Sequence, residues 1–195
     1  MPSRTGPDDV IDAALTCIAR VGLAKTTLDD VAKEAGCARA TVYRLFSGKQ
    51  QLLVALVERE AHRITTELVA HAVAADSLAD SVVDVITRSA RMLSEHGALM
   101  FVVAHEPELL MPYLAFERES AVLGAAAQLI APAFTPHLPR ANATRLAEWV
   151  ARMTFSYLCC PSEHIDVFDA GQVRSLVNDF VLPGHTRIAV EGMSQ

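Results

Sequence analysis

No stretch of this chain is apolar over the roughly 18 residues that a membrane-spanning helix requires, although 51% of its residues are hydrophobic. Residues 1–9 are polar and hold Pro2, Gly6 and Pro7, without the charged-then-apolar order of an export signal. The expectation is a cytoplasmic protein with no membrane partner. Cysteine is scarce: Cys17, Cys37, Cys159 and Cys160 form no CxxC pair, so neither a disulfide framework nor a zinc set is read. These thiols are expected to be reduced and mostly buried, a redox-sensing thiol being the lesser alternative. Catalytic fingerprints are missing too. There is no GxSxG, HExxH, phosphate-binding loop or dinucleotide motif, and Ser156 and the histidines show no triad spacing. His96, His105 and Glu106 match no standard metal set. The chain therefore reads as a non-enzyme with no metal and no cofactor.

Lysine is nearly absent, and where it occurs is informative. Lys25, Lys33 and Lys49 are the whole complement. Residues 1–50 hold seven basic residues against six acidic ones, so the rest of the chain carries all of the net charge of −6 and one unit more. An N-terminal contact with nucleic acid and an acidic remainder held away from phosphate fit that asymmetry.

What is present is helical periodicity, with no strand-turn-strand pattern. Ile11, Ala14, Leu15 and Ile18 make the apolar face of a helix over about 8–20, and Gly22 is placed to end it in a left-handed cap. Thr27 and Asp30 have the form of a capping box opening a second helix, which Gly36 ends. A short third helix covers about 38–45. Ser47 and Gln50 read as another box opening a long fourth helix to about Val73. Further helices are expected at about 78–95, 98–105, 107–132, 141–160 and 170–182, stopped by Pro161 and by Pro183-Gly184. The composition shifts near residue 50. The expected domains are therefore 1–50 and 51–195.

The segment TTLDDVAKEAGCARATVYRLFSGK, residues 26–49, is two short helices joined by a glycine turn, the helix-turn-helix pattern. Val42, Leu45 and Phe46 are spaced to pack inward. Arg39, Ala40, Tyr43 and Arg44 share the opposite face, with Thr41 at its edge. Guanidinium groups, a hydroxyl, a phenol and a methyl suit a major groove, where arginine pairs with guanine and a methyl meets thymine. Tyr43 and Lys49 suit phosphate.

At these residues the chain resembles the TetR family of bacterial repressors. The likeness covers the first 50 residues and rests on TTLDDVAKEAG, on the T-V-Y-x-x-F of Thr41 to Phe46, and on Lys49. It implies an all-α homodimer of about nine helices, with an N-terminal three-helix DNA-binding domain. It also implies that Thr27, Arg39, Thr41, Tyr43 and Lys49 occupy DNA-contacting positions. Many members carry Ser or Thr where Ala38 stands. Ala38 offers no capping oxygen, so packing has to hold that helix start.

Two half-sites need a dimer. Leu146, Val150 and Tyr157 with Val173, Leu176, Val177 and Phe180 form stripes suited to a four-helix interface or to the chain's own core. Ligand-lining candidates are Met92, Phe101, Tyr113, Phe116, Trp149 and Met153, with His96 and His105 as polar handles. The functional expectation is a ligand-responsive regulator, most simply a repressor. Its partners are palindromic double-stranded operator DNA, a second copy of the chain, and a small apolar or amphipathic effector. An activator is the alternative sign. Helix four, running from Lys49 toward the presumed pocket, is expected to couple ligand to DNA.

Overall fold

The structure is a computed structural model that describes residues 5–109 and 121–183. Among them the chain is all-helical, with nine α-helices and no strand. They are α1 (Pro7–Val21), α2 (Leu28–Glu34), α3 (Arg39–Leu45), α4 (Lys49–Ala72), α5 (Leu78–Ser94), α6 (Gly97–His105), α7 (Ala121–Ile130), α8 (Arg140–Cys159) and α9 (Ala170–Leu176).

The helix starts follow from local chemistry. Pro7 takes the first turn of α1, where its missing N–H costs nothing, and Asp9 accepts the Gly6 N–H at 2.7 Å. Thr27 caps α2: its hydroxyl accepts the Asp30 N–H at 3.2 Å, and Asp30 accepts the Thr27 N–H at 3.0 Å. The hydroxyl and the N–H of Thr27 hold the Asp30 carboxyl below its ordinary value. At the other end of α2, Gly36 adopts φ +61° and lets the Cys37 N–H reach Ala32 O at 3.0 Å, a left-handed stop that favours glycine. The box expected at α4 differs by one residue. The Ser47 N–H is accepted by Gln51 Oε1, not by Gln50.

The chain divides into two compact units, Met1–Arg63 with Leu93–Ser120 and Ile64–Met92 with Ala121–Gln195. This division is discontinuous in sequence, whereas the composition shift marks one linear boundary near residue 50. Helices α4 and α5 each contribute to both units. Each unit has its own core. In the first, Val10, Ile11, Ala14, Cys17 and Ile18 of α1 pack with Val31, Val42, Phe46, Leu52, Leu56, Ala98 and Val102. In the second, Val82, Val85 and Ile86 pack with Ile130, Phe134, Leu146, Val150, Val173 and Val177.

The continuous helix expected over 107–132 is not seen among the described residues. Pro107–Leu109 is a single 3₁₀ turn. α7 ends at Ile130, where Pro132 opens a second 3₁₀ turn, Ala131–Phe134, that buries Phe134 completely. The Ser81 hydroxyl fastens this turn by donating to Ala133 O at 3.0 Å. The helix expected over 170–182 is α-helical to Leu176, passes through a π-turn over Val177–Val181 and is α-helical again at 182–183. Gly184 lies outside the described residues.

Candidate nucleic-acid interface

Helix α3 is seven residues long, too short to hold itself together in water. Val42 (0% exposed) and Phe46 (5%) anchor it in the first core, with Leu45 half-buried beside them. Helical spacing then leaves Arg39, Ala40, Tyr43 and Arg44 exposed and Thr41 half-buried. Ala38 at its N-cap makes no side-chain bond, and the first turn closes through Thr41 N–H to Ala38 O at 2.8 Å.

The guanidinium of Arg39 is committed to partners on two helices. Nη1 donates to Asp29 Oδ2 at 2.8 Å and Nε lies 2.8 Å from Asp29 Oδ1. Nη2 donates to the Tyr43 hydroxyl at 3.1 Å, and the group sits 5.2 Å from the centre of the Tyr43 ring. The bond to Tyr43 and the charge of Asp29 raise its pKa further above the ordinary value. Asp29, on α2, escaped the sequence reading because nothing local marks it. Its neighbour Asp30 has the capping role.

Lys49 is engaged as well. Its ammonium donates to Leu23 O at 2.6 Å and to Ala24 O at 3.4 Å. The same turn is gripped from its N–H side by Glu106, a buried carboxylate that accepts from Leu23 N at 2.7 Å and from Ala24 N at 3.1 Å. The turn at Leu23 and Ala24, between α1 and α2, thus lies between a carboxylate at the end of α6 and an ammonium at the start of α4. Gly22 makes this close approach possible. It has the positive φ expected, +87°, but ψ 165° takes it out of the left-handed helical region. A Cβ there would stand 2.5 Å from Glu106 Oε1 and 2.7 Å from Phe101 Cε1. Thr27 is exposed and serves as the cap of α2.

A second buried carboxylate, on α4, holds the arginine that ties α4 to α1. Glu60 is 7% exposed and accepts from Arg59 Nη2 and Arg63 Nε, both at 2.9 Å, while Arg59 also reaches Asp12 at 2.6 Å. Burial pushes the Glu60 carboxyl up, but the bonds from Arg63 and Arg59 outweigh it, so its pKa lies below the ordinary value.

The ligand candidates are divided between the units, and several have structural work. His96 caps α6: its Nδ1 accepts the Leu99 N–H at 3.1 Å, so a proton on the ring belongs on Nε2, which lies 3.6 Å from Glu60 Oε2. Phe101 abuts Gly22 and stacks on exposed His105 at 4.5 Å. Met92, Trp149 and Met153 are half-buried in the second unit. Tyr113 and Phe116 lie outside the described residues. Of the interface candidates, Leu146, Val150, Val173 and Val177 are core residues of a single chain (0–3% exposed), Tyr157 and Leu176 are half-buried, and Phe180 is 77% exposed.

Comparison with known proteins agrees with this architecture. The profile of the tetR family of bacterial regulatory proteins matches residues 10–56, which span α1, α2, α3 and the start of α4. A helix-turn-helix-type transcriptional regulator of Mycobacterium tuberculosis is 30% identical over 178 residues, 90% of this chain and 83% of the relative. Among solved structures, the repressor AlkX of a Dietzia strain superposes with a TM-score of 0.67 at 20% identity, over 91% of this chain and 95% of that one. The regulator FadR of Bacillus subtilis, solved with stearoyl-CoA, gives 0.59 at 15% identity over 90% and 100%. The chain therefore belongs to the TetR family of bacterial transcriptional regulators, its helix-turn-helix formed by α2 and α3.

Proposed function

We propose that this regulator is a repressor that binds a palindromic operator as a homodimer, in the cytoplasm, and is released by a small apolar or amphipathic effector. The observation that carries the DNA half of this reading is the exposed face of α3. Arg39, Ala40, Tyr43 and Arg44 stand outward on a helix whose inward residues are locked in a core. Arg39 and Arg44 supply base-reading guanidinium groups, and the Ala40 and Thr41 methyls suit thymine. Lys49 has three N–H donors, two of them engaged by carbonyls, and the third suits a phosphate at the edge of the groove.

Exposed Phe180, with Phe168 at 39% exposure, supports a dimer contact beside α9. For the effector, α8 of the second unit carries Trp149, Met153 and Thr154. The Thr154 hydroxyl is buried without a hydrogen-bond partner among the described residues, and a buried unpaired hydroxyl gains when a ligand supplies one. The stearoyl-CoA in the Bacillus subtilis neighbour belongs to the amphipathic class proposed.

The test is a gel shift of the full chain against DNA upstream of its own gene, over a salt series with random competitor. A specific shift at dimer stoichiometry, reversed by acyl-CoA or another amphiphile, is expected. Equal affinity for operator with and without every effector class would remove the ligand-responsive part. Failure of random-site selection to yield any preferred sequence would remove the operator.

A further inference from the structure

Asp29 is an acid on the surface that, in the function proposed above, faces phosphate. It is 55% exposed, and its partner Arg39 is 63% exposed. An exposed ion pair of this kind contributes little to folding. A carboxylate near DNA lowers affinity for every sequence alike, because it repels phosphate whatever the bases are. Its presence at the foot of the recognition helix needs a compensating effect.

The geometry supplies one. An arginine side chain rotates about many bonds, and a free guanidinium must be ordered before it can pair with a base. Here Asp29 engages Nε and Nη1, and Tyr43 engages Nη2, with the Tyr43 ring 5.2 Å from the guanidinium carbon. Five N–H donors are available on a guanidinium. The two hydrogen bonds, Nη1 to Asp29 and Nη2 to Tyr43, use one N–H on each terminal nitrogen and leave another on each. A guanine takes two donors at O6 and N7.

We propose that Asp29 is a positioning residue for sequence recognition: by holding Arg39 between itself and Tyr43, it orders the guanidinium for a guanine, lowering affinity for DNA in general while raising discrimination. This rests on the reading of α3 as the groove helix and of Arg39 as its base contact. The pairing joins residues ten apart on two helices, and the relation of sign is its signature: general and specific binding respond to Asp29 in opposite directions.

The experiment measures wild type, Asp29→Asn, Arg39→Ala and the double variant against an operator obtained by random-site selection, against its single-base-pair replacements, and against random DNA. Asp29→Asn keeps the side chain's size, and its thermal midpoint is expected to match wild type. It is expected to bind random DNA more tightly, while the operator-to-random ratio falls by about tenfold. That fall is confined to the guanine position that Arg39→Ala also relaxes, and Asp29→Asn has no further effect on the ratio in the Arg39→Ala background. A merely structural loss would not single out one base pair. If Asp29→Asn shifts operator and random DNA by the same factor, the positioning role is overturned. If Arg39→Ala itself leaves the ratio at wild type, the base-reading assignment beneath it fails instead.

Discussion

Single side chains in this protein do their work against specific backbone groups. Gly22 is the clearest case, because two costs fall on the same residue. A side chain would have to adopt φ +87° with ψ 165°, and its Cβ would overlap Glu106 and Phe101. Gly22→Ala is therefore expected to destabilise the first unit by about 1–3 kcal/mol from backbone strain alone, read as a lowered thermal midpoint. Lys49 gives a different signature. If its remaining N–H meets phosphate, Lys49→Ala weakens binding to operator and random DNA equally and flattens the salt slope by about one unit. Salt titration of both DNAs checks it, and a loss confined to the operator would reassign Lys49 to base reading. The turn it holds between α1 and α2 also loses its carbonyl partner, so a lower thermal midpoint is expected alongside.

At the scale of elements, the helix-turn-helix is two seven-residue helices, each dependent on its ends and its anchor. α2 has a complete box from Thr27 and Asp30. α3 has none, since Ala38 presents only a methyl at a position with extended geometry, φ −70° and ψ 142°. That geometry is the one a capping hydroxyl requires. Ala38→Ser is accordingly expected to raise stability by up to about 1 kcal/mol, without loss of operator specificity, because the base-reading face is untouched. Thermal denaturation and a gel shift check the two halves. A fall in the midpoint would mean that the start of α3 cannot turn the hydroxyl toward its own N–H groups.

For the whole molecule, several carboxylates share one electrostatic bias. Hydrogen bonds hold Asp30, Asp80 and Asp169 below their ordinary value of 3.8, and Glu60 lies below its ordinary 4.5 although burial opposes the shift. A group with a depressed pKa in the folded state contributes stability above its unfolded pKa and loses it as pH falls toward the folded value. Stability is expected to be level above about pH 5 and to decline below it, the bonds most at risk being Arg59 and Arg63 to Glu60 and Arg174 to Asp80. Thermal midpoints between pH 7 and pH 3 test this, and a midpoint that rises on acidification would reverse the sign. The assembly makes a separate prediction. Phe180 leaves most of its surface to solvent, so Phe180→Arg should leave the fold of one chain intact. If it lies in the dimer contact, sedimentation will show a monomer and operator binding will be lost.

Much of this was legible along the chain, because helix caps and faces depend on neighbours within a few residues. The periodicity of the first 50 residues, Thr27 with Asp30, the positive φ at Gly22 and Gly36, and the division of α3 into inward Val42 and Phe46 and outward Arg39, Tyr43 and Arg44 all follow from helix geometry and side-chain chemistry. What tertiary structure alone decided are contacts between residues that no local rule relates. Glu106 returns to the turn at Leu23 over 83 residues of chain, and Asp29 meets Arg39 only because the Gly36 turn sets α2 against α3. Whether Leu146 and Val150 face a core or a partner was equally undecided, because an apolar stripe shows that a face is buried and not what covers it. Packing within one chain buries both.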